Sequence, residues 1–301
     1  MKQTNRHKVS IIILNWNGLK DTIECLESLK KITYPNYEVI IVDNGSEGND
    51  ADVLKEKYKG YIRLIRNKEN LGFMGGNNIG IKEAIKEGAD YVLLLNNDTI
   101  VEPDFLDELV KVASQDEKIA IVGSVIADYY TKKILFTNGK IDKKLKLKSQ
   151  TDYLKSNKIY WETEAVQGSS MMMRVESILK HNLFLDKNLF LYCEEIDICI
   201  RTKKAGLKIA VAGKSIVYHK EGRSYGGGIK PFPIYYVLRN RIILSKKLLN
   251  TKDKIIFWLL FTPSRIFKLL LWILTGRRGL VKATYVAFRD GILNNGGPRK
   301  L

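Results

Sequence analysis

The run LLLNNDTI, residues 93–100, is apolar enough to lie buried and then stops abruptly at Asn96, Asn97 and Asp98. A carboxylate at such a stop suits a hard divalent cation. Mg2+ and Mn2+ take oxygen ligands and keep waters and substrate phosphates in their shells, so one or two protein carboxylates suffice to hold them against a diphosphate. Asn96 and Asn97 add hydrogen bonds for a sugar or ribose without adding charge. The plainer reading of the tripeptide is a turn, with Asp98 capping a helix after Pro103. His219, at the end of SIVYH, completes a metal shell if it faces Asp98, and is otherwise a structural histidine.

YCEEIDICIR, residues 192–201, is the densest acidic patch in a basic chain. On a helix Glu194 and Asp197 share a face while Glu195 projects about 100° away, which suits one carboxylate to chemistry and another to structural contacts. Crowding raises the pKa of at least one carboxylate, as a general base requires; an acidic first turn favoured by the helix dipole is the alternative. Asp43, ending YEVIIV, can accept from a pyrimidine N3–H or a ribose hydroxyl, and can equally serve the turn DNGS. The glycine-rich NLGFMGGNNIG, which holds Asn70, Gly72 and Asn77, offers backbone N–H groups to phosphate, although it matches neither the phosphate-loop nor the dinucleotide fingerprint. Arg223, Tyr225 and Lys230 lie in GRSYGGGIKPFP, whose glycines and prolines suit a loop that closes on substrate. They can neutralise a departing diphosphate, as can Arg239 and Arg241.

Such residues need a scaffold that gathers them. Over the first 125 residues apolar runs alternate with helical patterns: VSIIIL, a helix opened by a capping-box-like Asp21 and Glu24, YEVIIV, a helix near residues 51–58, YIRLI, a helix from about Gly76 closed by Gly88, and YVLLL. Strands apolar on both faces argue for a parallel sheet covered by helices on both sides. In such sheets ligands bind beyond the carboxyl ends of the strands. Those ends read Asn15-Trp16-Asn17-Gly18, Asp43-Asn44-Gly45-Ser46, Asn70-Leu71-Gly72 and Asn96-Asn97-Asp98, a nucleotide and anion site by position. Lysine-rich sequence from Lys132 to Lys158 reads as a solvated hairpin or mobile loop with no chemistry of its own. A strand in AVQGSSMMMR, a helix from Glu194 to Gly206 and two short strands, KIAVA and SIVYH, follow.

A formal net charge of +17 calls for an anionic partner, and 45% hydrophobic residues place the chain among globular proteins. Beyond Ser245 twelve Lys or Arg face only Asp253 and Asp290. There IIFWLLF and LLLWIL alternate with Arg265, Lys268, Arg277 and Arg278, which reads as an anionic membrane surface with Trp258, Phe261 and Trp272 entering the interface. A span from Ile255 to Leu274 has the right length, but Pro263, Arg265 and Lys268 near its middle favour lying in the interface over crossing. Two amphipathic helices packed on the main domain are the plain alternative. Nucleic acid is not expected, for no nucleic-acid-binding signature is present. The polar start leads straight into a strand, so no secretory signal is expected. Cys25, Cys193 and Cys199, odd in number and without ligand spacing, suggest reduced thiols in the cytoplasm.

SIIILNWNG, VIIVDNGS, NLGFMGGNNIGI, YVLLLNNDT, YCEEIDICIRTKKAG and SIVYHKEGRS, in this order, resemble the family 2 glycosyltransferases of the GT-A fold, and among them the rhamnosyltransferase-like branch. The resemblance implies a Rossmann-like α/β fold: a mixed, mainly parallel sheet flanked by helices. A GT-A domain would occupy residues 1–245, with a nucleotide-binding half at 8–130 and an acceptor and catalytic half at 131–245. Residues 246–301 would form a basic, amphipathic helical appendage that associates with the membrane. Asn15, Asn17, Asp43, Asn70, Gly72, Asn77, Asn96, Asn97 and Arg223 become the donor-binding candidates. Asp98, as the final acid of the family's D-x-D-type motif, and His219 become ligands of Mg2+ or Mn2+. Glu195 matches the usual base, with Glu194 as the fallback. The chain departs from the pattern in reading Asn-Asn-Asp for Asp-x-Asp and in carrying Glu where Asp is commoner at the base.

The activity so implied is inverting, metal-dependent transfer of a sugar from dTDP-rhamnose or a UDP-hexose to a hydroxyl of a glycan or lipid-linked saccharide. It would take place in cell-surface polysaccharide synthesis, peripherally on the inner face of the cell membrane. Two rivals stand beside it. A sugar-phosphate nucleotidyltransferase should carry a glycine-rich basic loop after the first strand, where NWNGLKDT offers only Lys20; a non-catalytic, membrane-associated sugar-binding scaffold would not need Glu195.

Overall fold

The first, second and fourth strands are largely buried apolar runs, whereas the third, at the sheet edge, carries exposed Arg63 and Arg66. β1 (Val9–Asn15), β2 (Tyr37–Asp43), β3 (Ile62–Arg66) and β4 (Tyr91–Asn96) run parallel in the spatial order β3-β2-β1-β4. Ile11, Ile12 and Ile13 are fully buried, and each such side chain contributes about 1.5–3 kcal/mol relative to exposure. The computed structural model describes residues 7–151, 158–220 and 229–299.

α1 (Leu19–Leu29), α2 (Asp50–Lys57) and α3 (Gly72–Lys86) supply the crossovers. α3 begins one turn before the expected Gly76. Gly76 and Gly80 share one face of it and let it settle onto β1: a Cβ on Gly80 would come within 2.5 Å of Ile12 Cγ2. The capping box expected at Asp21 and Glu24 does not form. α1 is capped at Gly18 without a side-chain hydrogen bond, and both carboxylates are engaged elsewhere, as described below.

The sheet continues beyond β4 through β11 (Ser170–Arg174), which runs against both its neighbours, to β6 (Ile119–Asp128) and then β12 (Lys208–His219), parallel to β6. The two short strands expected from KIAVA and SIVYH are this one strand, with its register broken between Ala212 and Ile216. β5 (Thr99–Val101) pairs with the end of β12, β7 (Ile134–Phe136) with β6, and β10 (Tyr160–Glu162) with β12. α4 (Phe105–Ala113), α5 (Val175–His181) and α6 (Glu194–Lys204) complete the layers. The sequence-based expectation of a mixed, mainly parallel sheet flanked by helices therefore holds. The lysine-rich stretch contains a hairpin, β8 (Asn138–Ile141) with β9 (Leu147–Gln150), whose turn buries Leu145. All three cysteines are free and buried.

Three helices follow: α7 (Pro231–Leu248), α8 (Thr251–Leu274) and α9 (Arg278–Leu293). The boundary expected at residue 245 falls inside α7, against which Gly291 of α9 packs through Ile242. α8 is long and apolar enough to cross a membrane by length and composition. It buries Phe257, Phe261 and Trp272 and leaves Leu259, Phe267 and Leu274 at 68%, 69% and 84% exposure.

Candidate active site

The carboxyl ends of β1 and β2 lie side by side, Asn15 in register with Asp43. The Asn15 amide nitrogen donates to Asp43 Oδ1 at 2.9 Å, Ser46 Oγ at 3.1 Å and Asp50 Oδ2 at 3.1 Å, while its oxygen accepts from Thr22 Oγ1 at 2.7 Å. Asn15 thus spends its hydrogen bonds on holding Asp43. Asp43 also accepts from the Ser46 hydroxyl at 2.6 Å, so the turn reading of DNGS holds. Asn17, at φ +52°, receives the Glu47 N–H on its side-chain oxygen at 2.7 Å. Trp16 between them is 48% exposed.

Asn44, read in the sequence as part of the second strand end but not as a donor-binding candidate, ties that end to the third. It donates to Asn70 Oδ1 at 3.0 Å and to the Gly72 carbonyl at 3.1 Å, and accepts from Asn67 Nδ2 at 3.0 Å. Gly72, at φ +73°, is the residue type the site demands, because a Cβ there would collide with the Phe190 carbonyl. Asn77 does not reach this edge: it is buried within α3 and donates to the Phe73 carbonyl at 2.9 Å.

Asn97 and Asp98 form the turn between β4 and β5, and because Thr99 pairs with His219, the turn lies against the end of β12. Asp98 Oδ1 stands 3.1 Å from His219 Nε2, with the two side chains 17% and 8% exposed. The Asn96 amide is 3.5 Å from the same ring nitrogen, and Asn97 donates to Thr22 Oγ1 at 3.0 Å, lacing this turn to the first turn of α1. Lys220, another residue missed in the sequence, fixes the corner. Its main-chain N–H donates to the Asp98 carbonyl at 3.1 Å, and its ammonium bridges Asp21 at 2.7 Å and Glu24 at 2.6 Å. Burial opposes that ammonium's charge, but the two carboxylates outweigh it and hold its pKa above the ordinary lysine value. The i, i+3 spacing of Asp21 and Glu24 is the signal for it in the sequence.

Glu194 and Glu195 open α6, behind a segment in which Phe190, Tyr192 and Cys193 have φ of +63°, +65° and +68°. Such left-handed conformations cost about 1–3 kcal/mol each and persist where their surroundings over-determine them. α7 supplies the surroundings. Asn240 donates to the carbonyls of Leu189, Leu191 and Tyr192 at 3.0, 2.8 and 2.9 Å, and the buried Arg239 donates to those of Leu189 at 2.8 Å and Gly297 at 2.7 Å. Arg239 and Arg241, candidate diphosphate ligands by sequence, are therefore occupied with main-chain carbonyls, Arg241 with that of Lys144 at 2.7 Å. Lys230 caps α7, and Arg223 and Tyr225 lie outside the described residues.

The Glu194 carboxyl lies against Gly168, where a Cβ would come within 2.7 Å of Oε1. The next residue, Ser169, accepts the Asn96 N–H at 3.0 Å, so the acidic pair adjoins the Asn96–Asp98 corner through two residues of backbone. Glu194 Oε2 is buried and, among the described residues, without a hydrogen-bond partner. Protein crowds both carboxyls although each residue keeps a partly open surface. Burial, reinforced by Glu195, pushes the Glu194 pKa up to about 8, and burial raises that of Glu195. Asp197 turns the other way, 1% exposed, to Arg201 at 2.6 Å and Lys247 at 3.0 Å. Among the described residues no group of three His, Cys, Asp or Glu gathers to hold a metal. Asp98 and His219 nonetheless fit a hard cation that draws the rest of its shell from water and substrate phosphate.

These features define a class. Residues 10–181, over half of the chain, match glycosyl transferase family 2; the chain belongs to that family and is an enzyme of the glycosyltransferase class. Rhamnosyltransferase WbbL of Escherichia coli (strain K12) is 28% identical over 262 residues, 81% of this chain and 96% of the relative. An uncharacterized glycosyltransferase of Haemophilus influenzae is 24% identical over 88% of this chain and 84% of its own length. Among solved structures, GalNAc-T7 with UDP, GalNAc and Mn2+ superposes with a TM-score of 0.70 at 20% identity, over 85% of this chain and 50% of that one. S. aureus TarS 1-349 with UDP-GlcNAc gives 0.56 at 16% identity, over 83% and 70%. The GT-A fold implied by the motifs is thereby shown.

Proposed function

We propose that the enzyme moves a sugar, with inversion, from dTDP-rhamnose or a UDP-hexose to a hydroxyl of a glycan or lipid-linked saccharide. The observation that carries this reading is the 3.1 Å approach of Asp98 and His219, 121 residues apart, at a sheet edge that also receives the Glu194–Glu195 pair. The donor's nucleoside lies along Asn17, Asp43 and Asn70, and Asn15 and Asn44 hold those residues in place. Asp98 and His219 hold Mg2+ or Mn2+, which when bound supplies Lewis-acid stabilisation of the leaving diphosphate. Glu194 keeps its proton at neutral pH and Glu195 is the base. Glu195 takes the proton of the acceptor hydroxyl as that oxygen attacks the anomeric carbon; the bond from that carbon to the diphosphate oxygen breaks, and the nucleoside diphosphate leaves with the electron pair. The structure of GalNAc-T7 with UDP and Mn2+ and the name of the E. coli relative support the metal and the donor class.

The exposed apolar stripe of α8, with its flanking cations, supports a peripheral position on an anionic membrane at the cytoplasmic face. Residues 8–130 act as the nucleotide half and 131–245 as the acceptor half. Nucleoside diphosphate release from dTDP-rhamnose and from UDP-hexoses, with Mn2+ and with EDTA, tests the reading: release in the presence of Mn2+ and its loss in EDTA support it, and equal release in EDTA contradicts it.

A further inference from the structure

Cations gather where the β8–β9 turn meets α7 and α8. Arg241, 6% exposed, donates both Nε and a terminal nitrogen to the Lys144 carbonyl, drawing the turn that carries Lys144 and Lys146 against α7. Its guanidinium lies 5.2 Å from the centre of the Phe261 ring, and that of Arg265, one turn along α8, lies 5.7 Å from the same ring. Lys268 follows Arg265 at i+3 and shares its face. The neighbouring carboxylates are engaged. Asp142 accepts the main-chain N–H groups of Lys144 and Lys146 and faces Lys148 at 3.9 Å, and Asp253 pairs with Lys143 at 3.3 Å. Among the described residues no carboxylate forms an ion pair with Lys144, Lys146, Arg241, Arg265 or Lys268. Burial lowers the pKa of Lys268, and the charges of Arg265, Lys146, Lys144 and Arg241 lower it further. Like charges crowded in this way repel until an anion neutralises them.

We infer that this cluster binds the phosphate headgroup of an anionic membrane lipid. The inference rests on the membrane reading of α8 and gives that surface its ligand. Arg265 and Lys268 stand on the side of α8 that carries the buried Phe261 and Trp272, whereas Leu259, Phe267 and Leu270 face outward. An α-helix with its side chains is about 10 Å across. With its outer face roughly 5–10 Å into the acyl boundary, the cations on the opposite side stand at the level of the phosphates.

Cosedimentation of the full chain with phosphatidylcholine vesicles, with and without added phosphatidylglycerol, tests this. Replacing Lys144, Lys146, Arg265 and Lys268 together by Gln is expected to lower affinity for the phosphatidylglycerol vesicles at least about tenfold while sparing the weak binding to phosphatidylcholine. The milder pair Lys144→Gln and Lys146→Gln, confined to the turn, is expected to lose roughly threefold and keeps the test open should the fourfold variant fail to fold. Calorimetry with soluble dihexanoyl phosphatidic acid, alone and against inorganic phosphate, separates lipid headgroup from free phosphate. Undiminished binding of both variants to phosphatidylglycerol vesicles overturns the inference, and displacement of the short-chain lipid by equimolar inorganic phosphate overturns the lipid source. A wild-type chain that ignores both vesicle types yet binds the short-chain lipid removes the membrane reading and leaves the phosphate site; failure of both removes both.

Discussion

At the ends of β1 and β2 the polar side chains are spent on one another: Asn15 on Asp43, Ser46 and Asp50, and Asn44 on Asn70 and Gly72. Where Gly168 and Ser169 bring Glu194 of α6 beside the β4–β5 turn, a buried group is held short of satisfaction instead. Among the described residues Glu194 Oε2 is without a partner, its pKa is raised to about 8, and the backbone leading to it is left-handed at Phe190, Tyr192 and Cys193. The first region is a rigid mould whose geometry is fixed by its own hydrogen bonds. The second stores unfavourable electrostatics and backbone strain, the usual mark of a place where bonds change. Damage to the mould should therefore weaken donor binding, and damage to the strained corner should slow the chemical step.

The contrast is broken most directly at Glu195, the proposed base. Glu195→Gln is expected to lower kcat by about 10²–10⁴-fold with little change in KM for the donor; measured turnover near wild type would move the chemistry elsewhere. Next comes the support behind it: Asn240→Asp, which sets an acceptor against three carbonyls, is expected to lower kcat by roughly tenfold while nucleotide affinity by calorimetry stays within about twofold. In the mould, Asp43→Ala is expected to raise the donor KM by about tenfold with a smaller change in kcat, a split that steady-state kinetics reads.

The smallest effect sharpens the electrostatic side of the comparison. The raised pKa of Glu194 means that the folded chain binds more protons than the unfolded chain between the model carboxylate value of 4.5 and about 8. Stability should accordingly fall as pH rises through that window. Glu194→Gln removes its share of the slope and leaves that of Glu195, so above pH 8 the variant should melt higher than wild type, by on the order of 5 °C. Parallel melting curves across that range would show that Glu194 is not held protonated.

The parallel strands and the positions of Asp43, Asp98 and His219 could be read from the sequence because apolar runs end abruptly in polar residues, and the sheet sends all such ends to one edge. The structural roles of Lys220, Asn44, Arg239 and Asn240 could not, because their partners lie far away in sequence. Asp21 and Glu24 misled for the same reason: a spacing that fits a helix cap also fits a lysine arriving from residue 220. Asn77 sits in a tract with the composition of a phosphate loop, yet the early start of α3 buries it. Gly297 ties the C-terminal region to Arg239 of α7. Deleting residues 251–301 would strip the support of the Phe190–Cys193 segment together with the apolar face of α8, so substitutions at exposed Phe267 and Leu270 are the cleaner probe of the proposed membrane contact.

Calorimetric titration of UDP and dTDP into the wild-type chain and Asp98→Asn, each with and without Mn2+, bears most directly on the cation proposed at Asp98 and His219. Mn2+ is expected to tighten nucleotide binding to the wild type by at least about tenfold and to leave the variant unchanged. An equal gain in both proteins would contradict a cation held by Asp98 and His219.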